Sequence, residues 1–262
     1  MYEDLDGSAA IVTGSSSGIG KAIALRLGRY GAGVCVVADR NVDGGQATAA
    51  EIRDAGGRAV FVQADVSAAA DCRRIAAETL DAFGRVDVLV NNAGITRRRA
   101  LEEADEAFWH HVLDTNLTSA FLLSREVVGD MLSRDRGSVV NISSVHAVAT
   151  HEGCSAYAAS KAGLCGLTRA LALEFGPRGV RFNCILPGTI DITRHPRPGR
   201  PQPDPETWRP KASRIQVLRR LGSPDEVAAA VCFLASDQSS FVNGATWAVD
   251  GGLLGVLSDR EP

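Results

Sequence analysis

Short runs of β-branched and small apolar residues alternate with longer amphipathic stretches along nearly the whole chain, and this rhythm constrains the fold more than any other feature. The strand-like runs are 9–13, 34–38, 59–63, 86–91, 138–142, 181–186 and 245–249; helix-like segments fall at 18–30, 43–55, 67–83, 104–134, 155–175 and 223–235. Strands separated by helices of this length form βαβ units with right-handed crossovers, which predicts a single doubly wound, Rossmann-type α/β domain with a seven-stranded parallel sheet. The runs are apolar at every position rather than at alternate ones, as a sheet covered on both faces requires. No repeat, heptad array or linker divides the chain, so 1–262 reads as one domain.

Composition narrows the function. Of 262 residues, 45% are hydrophobic and 23% charged, enough to bury a full core. The formal net charge of −3 argues against a nucleic-acid binder or an anionic-membrane binder. No apolar run approaches the ~20 residues that span a bilayer, and the acidic start MYEDLDGSAA does not resemble a signal peptide. The expectation is a soluble, cytoplasmic protein. The six cysteines are scattered without metal-ligand spacing, reading as buried thiols, and no metal is expected.

One segment breaks the rhythm. Six of the ten prolines fall between Pro196 and Pro210. Proline removes backbone donors and disfavours helix in the residue before it, so an irregular excursion is expected, with a substrate loop or lid over 189–213. Arg194, Arg197, Arg200, Arg209 and Lys211 outnumber Asp204 and Glu206 there, a charge that suits an anionic substrate.

The first strand runs into Gly14-Ser15-Ser16-Ser17-Gly18-Ile19-Gly20 and then a helix. Glycines at such a turn let the backbone approach a pyrophosphate whose charge sits at the helix N-terminus. The spacing is G-x-x-x-G-x-G, not the usual dinucleotide fingerprint, and no G-K-[ST] of a P-loop follows. Asp39 ends the second strand, where a carboxylate accepts hydrogen bonds from ribose hydroxyls and repels a 2′-phosphate. Arg40 pulls the other way, because an arginine just past that strand can pair with the same phosphate. The balance favours NAD over NADP.

Tyr157 and Lys161 are four residues apart in a helical segment, on one face and within reach of each other. A phenol next to an ammonium suits proton exchange with a substrate oxygen. Alone, Y-x-x-x-K is common by chance. Here it accompanies Asn91-Asn92-Ala93-Gly94 after the fourth strand, Asn116 in TNLTSAF, Ser143-Ser144 after the fifth strand, Asn183 and Pro187-Gly188 around the sixth, and Asp250-Gly251-Gly252 after the seventh.

In that order, over about residues 5–255, these motifs resemble the short-chain dehydrogenase/reductase family in its single-domain form. The resemblance implies Tyr157 as catalytic acid/base, Lys161 as its electrostatic partner and nicotinamide-ribose ligand, Ser144 as the serine that bonds the substrate oxygen, and Asn116 as part of a water-mediated proton relay. It implies cofactor contacts along Gly14, Ser16, Ser17, Gly18, Ile19 and Gly20. Others follow at Asp39 and Arg40, at Asp65 and Val66 beside adenine, along Asn92, Ala93 and Gly94, and at Pro187, Gly188 and Ile190 beside nicotinamide. Members often carry threonine where this chain has Ile192, with the hydroxyl displaced to Thr193.

The implied activity is hydride transfer between NAD(H) and a secondary alcohol or ketone, the substrate a small polar, sugar-like or hydroxy/keto compound. A 3-oxoacyl-carrier-protein reductase using NADPH is the alternative, and a non-catalytic dinucleotide sensor is a further one. Around the reacting carbon the expectation places Arg97–Arg99, 146–154 with His146 and His151, and the 193–211 loop with Trp208. The small-residue face of 155–175, matched with 104–134, points to a homotetramer or homodimer.

Overall fold

The computed structural model describes residues 2–192 and 205–255. Seven strands form one parallel sheet: β1 (Ala9–Thr13), β2 (Gly33–Ala38), β3 (Arg58–Gln63), β4 (Val88–Asn91), β5 (Gly137–Ile142), β6 (Val180–Pro187) and β7 (Thr246–Val249). Their spatial order is β3-β2-β1-β4-β5-β6-β7, the doubly wound topology expected. The order in which strands are added reverses between β1 and β4, and in such sheets ligands bind in the crevice beyond the carboxyl ends at that switch point.

Strand alternation divides the core into two layers. Ala10, Val12, Val34, Val36, Val88 and Val90 face α1 (Gly18–Arg29), α2 (Val42–Asp54) and α8 (Pro224–Ala235). Ile11, Cys35, Val37, Leu89 and Val139 face α3 (Ala69–Phe83), α5 (Ser119–Leu132) and α6 (Ser155–Phe175). Burying a side chain such as Ile11 or Leu89, each 0% exposed, contributes about 1.5–3 kcal/mol. β7 is the exception: three of its four residues are exposed, because it closes one edge of the sheet.

Two expectations are corrected. The helix expected over 104–134 is α4 (Glu106–Leu113) and α5, joined by a π turn at Asp114–Thr118 that sets Asn116 inward. The proline-rich stretch is not irregular throughout, since Pro205–Arg214 forms helix α7. Pro205 occupies its first position, where a missing N–H costs nothing and the fixed φ suits the helix. Arg194, Arg197, Arg200, Thr193 and Asp204 lie outside the described residues, as do the side chains of Trp208 and Lys211. Elsewhere the boundaries move by a few residues, as when the fourth strand starts at Val88.

Candidate active site

The turn after β1 is held open by side chains, not merely by glycine. Ser15, fully buried, donates from Oγ to the Val12 carbonyl (2.7 Å) and accepts the Val37 N–H (3.0 Å), tying the turn to β2. Thr13 Oγ1 accepts the N–H groups of Asn92 (3.0 Å) and Ala93 (2.9 Å), and Asn92 Nδ2 donates to the carbonyls of Thr13 (2.8 Å) and Gly14 (3.2 Å). This clamp draws the loop after β4 over the turn so closely that no larger residue fits. Gly14 has φ +63°, and a Cβ there would lie 2.9 Å from Ala93 Cα. A Cβ on Gly20 would collide with the Gly14 carbonyl and the Asn92 amide. Thr13 and Ser15 were absent from the expected site, although the hydroxyls beside the first glycine were the available signal.

α1 begins in this cradle. Its N-cap Ser17 makes no side-chain cap, so the first-turn N–H groups face the cleft free of one, as an anion site requires. The cleft is lined by Gly14, Ser16 and Ser17 on one side and Asp39, Arg40 and Val66 on the other. The Asp39 carboxylate is about half exposed and pairs with the Arg40 guanidinium at 3.4 Å. Asp65 also lines the cleft, but its Oδ1 accepts from Ser67 N–H and Oγ, fixing the loop after β3.

Asn92 and Gly94 carry this cleft into a second one containing Ile19, Ser144, Tyr157, Lys161, Pro187, Gly188 and Ile190. α6 presents Tyr157 and Lys161 one turn apart, with Lys161 Nζ 5.8 Å from the Tyr157 ring centroid. Lys161 is buried and donates to the Ile142 carbonyl (2.8 Å), and its own carbonyl accepts from Ser143 Oγ (2.7 Å). Of the two serines, Ser143 is thus occupied by helix α6, while Ser144 Oγ accepts the His146 N–H (3.2 Å). Gly94 is the contact point behind the lysine: a Cβ there would stand 3.2 Å from Asn116 Oδ1 and 3.4 Å from Lys161 Nζ.

Asn116 uses its side chain within the protein. Oδ1 accepts the Ile95 N–H (2.8 Å), and Nδ2 donates to the Ile95 carbonyl (3.0 Å) and Ser160 Oγ (3.1 Å). Both amide hydrogens are thus spent within the protein, Oδ1 keeps a second lone pair, and the widened π turn loosens the main-chain ladder at this residue. Below the site, Asn91 donates to Asn141 and Asn141 to Thr168, each at 2.9 Å, a buried chain linking β4, β5 and α6. On the opposite wall, Gly188 cannot carry a Cβ because Asp250 Cα would be 2.7 Å away. Ile192 stands over Gly18, so an apolar contact fills the place where a threonine was expected.

All six cysteines are buried, and two that are distant in sequence meet: Cys165 and Cys184 Sγ lie 3.8 Å apart, Cys165 also 3.5 Å from the Lys161 carbonyl. Burial pushes the Cys35 and Cys232 thiols up to about 12. Among the described residues no helix is long and apolar enough to cross a membrane, and no cluster of three His, Cys, Asp or Glu forms a metal site.

The family model described as Enoyl-(Acyl carrier protein) reductase matches residues 14–254. The chain is 40% identical over 259 residues to 3beta-hydroxysteroid dehydrogenase 1 of Eggerthella lenta, covering 97% of this chain and 96% of that one. It is 39% identical over 263 residues to Glucose 1-dehydrogenase 2 of Bacillus subtilis, covering 100% of both. Among solved structures, a double mutant of a Serratia marcescens short-chain dehydrogenase/reductase superposes with a TM-score of 0.87 at 32% identity, over 95% of this chain and 98% of that one. The motif order, the sheet order and these matches agree: the chain belongs to the short-chain dehydrogenase/reductase family of oxidoreductases.

Proposed function

We propose that this protein is an NAD(H)-dependent oxidoreductase that interconverts a secondary alcohol and a ketone, with Tyr157 as acid/base. The observation that carries the reading is the continuity of the two clefts. The Gly14–Gly20 cradle with Asp39 and the Ser144–Tyr157–Lys161 group share Asn92 and Gly94, so one extended dinucleotide reaches from one to the other. A bound nicotinamide supplies or accepts the hydride.

The chain's own residues do the rest. Gly14, Ser16, Gly18 and the start of α1 hold the pyrophosphate, and Asp39 takes the adenosine ribose hydroxyls. Asp65 and Val66 border the adenine; Pro187, Gly188 and Ile190 wall the nicotinamide. Tyr157 Oη gives or takes the proton at the substrate oxygen, and Lys161 beside its ring stabilises the charge left on the phenol. Ser144 already accepts from the backbone, which leaves its hydroxyl proton to donate to the same oxygen. Asn116 clamps the segment after Gly94 to α6 and so fixes Lys161 against the cofactor wall.

Asp39 disfavours a 2′-phosphate, and Arg40, turned to Asp39, is drawn from that role. The 3-oxoacyl-carrier-protein reductase reading with NADPH is favoured by a relative of that description in Synechocystis sp., 40% identical over 253 residues, and needs Arg40 to leave Asp39. Relatives acting on a steroid and on glucose differ too much to fix the substrate; a small polar hydroxy or keto compound remains the proposed class. Exposed Phe121 and Leu173 on α5 and α6, and exposed Phe241 and Trp247 by β7, are the apolar residues on which a homotetramer or homodimer would pair.

The test is cofactor-coupled turnover across secondary alcohols, sugars, steroids and β-ketoacyl thioesters, with NAD and NADP in parallel and Tyr157→Phe as the blank. NAD-linked activity lost in the variant is the expected result. Activity with NADP alone transfers the reading to the reductase, and turnover surviving in Tyr157→Phe removes that residue from the chemistry.

A further inference from the structure

Next to Tyr157 lies a group the reaction itself does not use. The His146 ring meets the Tyr157 ring edge-on, centroids 5.2 Å apart, and the His151 ring meets His146 in the same way at 5.3 Å. His146 Nδ1 is paired with Thr150 Oγ1 at 2.8 Å, leaving Nε2 as the second polar corner of the ring. The segment after Gly94 is brought against this loop by Arg99, whose backbone N–H donates to the Gly153 carbonyl at 2.9 Å.

The three arginines there are not equivalent. Arg99 is committed: it pairs with Asp105 at 3.4 Å and stacks over Phe108 at 4.7 Å, anchoring the loop. Arg98 is exposed and close enough to His146 to act on its charge. Burial first, then His151 and Arg98, push the His146 ring below its ordinary value and hold it neutral at physiological pH. Beside the proton-moving phenol, then, stand two imidazoles, with Arg97 and Arg98 exposed on the segment that Arg99 ties to Gly153 and Glu152 the exposed acid at the loop's edge.

We propose that Arg98, His146 and His151 form a subsite for a carboxylate, so that the substrate is an oxo acid or hydroxy acid whose carboxylate lies a few bonds from the reacting carbon. The Arg98 guanidinium together with ring N–H donors suits a carboxylate, and both kinds of group form charge-assisted hydrogen bonds to its oxygens. The rings' edge-to-face stacking fixes the distance of this subsite from Tyr157, which limits the length of the acid. This subsite rests on the reading of Tyr157 as the group at the reacting carbon.

The experiment is calorimetric titration of the NADH-loaded protein with acetoacetate and levulinate, each against its methyl ester, alongside turnover of all four. At least one acid is expected to bind about tenfold more tightly than its ester, and Arg98→Ala and His151→Ala together bring that ratio near one. Arg178→Ala, far from the loop, leaves the ratio unchanged. Esters binding as tightly as both acids, or a ratio indifferent to the double variant, overturns the subsite. The two readings fail separately: Tyr157→Phe that still turns over defeats the catalytic assignment, whereas the acid-to-ester binding ratio decides the rim whether or not turnover occurs.

Discussion

The two ends of the sheet are built from different chemistry. At the amino ends of the strands, charges are paired with one another. Asp87, 8% exposed, accepts the Ala9 N–H at 2.9 Å and pairs with Arg85 at 2.6 Å. Arg134 bridges Asp130 at 2.7 Å and Asp87 at 3.5 Å, and Asp130 accepts the Val86 N–H. Burial opposes ionisation of Asp130, but the bonds from Arg134 and Val86 outweigh it and hold the carboxyl below its usual range. At the carboxyl ends, glycines, hydroxyls and amides predominate, and Ser17 leaves the start of α1 uncapped. One end directs most of its charged groups at one another, with only the buried Arg134 Nε among these residues left unpartnered; the other keeps some for a ligand. Stability and chemistry are thereby placed about a strand's length apart, and each is open to separate attack.

Tyr157→Phe is the sharpest cut. Removing the phenol oxygen is expected to lower kcat about 10³-fold while leaving the melting temperature unchanged, checked by steady-state turnover beside a thermal melt. At the opposite end the pattern inverts. Asp87→Ala strands Arg85 and the Ala9 N–H and is expected to cost about 3 kcal/mol in a denaturant titration, with the cofactor dissociation constant unchanged. A weakened cofactor affinity in that variant would show the two ends to be coupled.

Smaller effects sharpen the contrast. Asp39→Ala is expected to reduce the preference for NAD over NADP about tenfold, measured as the ratio of dissociation constants. An unchanged ratio would assign selectivity elsewhere. The least effect lies at α8, which packs beside α1 but has a closed N-terminus. Ser223 Oγ accepts the Glu226 N–H while Glu226 accepts the Ser223 N–H, and Ser223→Ala is expected to cost about 1 kcal/mol. The Arg220 side chain, then the Ser223 N–H, draws the Glu226 carboxyl down to about 2. A depressed folded value means its stabilisation is full above the ordinary carboxylate range and is lost as pH falls toward 2. Glu226→Gln removes that acid-limb dependence in chemical denaturation; a curve unchanged from the parent would show the box to contribute nothing.

Much of this was legible because the relevant signals are local. Strands apolar on both faces announce a covered parallel sheet, and a glycine turn after the first of them announces the cradle. The unread features arise from contacts between distant segments. At the π turn around Asn116 the side chain meets both Ile95 and Ser160, an arrangement that periodicity within 104–134 does not encode. Cys165 and Cys184 meet only when α6 lies on β6. In α7 the composition misled: Pro205 is tolerated at the helix's first position, and the helix carries Pro210 in its interior despite the backbone donor it removes.

The π turn carries a consequence for how this chain tolerates length change. A five-residue turn amounts to one residue more than the α-helical ladder needs. Deleting one residue between Asp114 and Thr118 would let α4 and α5 merge into a smoother, more regular helix. The same deletion would rotate everything on one side of it by about 100°, swinging Asn116 away from Ile95 and Ser160. At this point regularity and register compete, and the chain has kept the register.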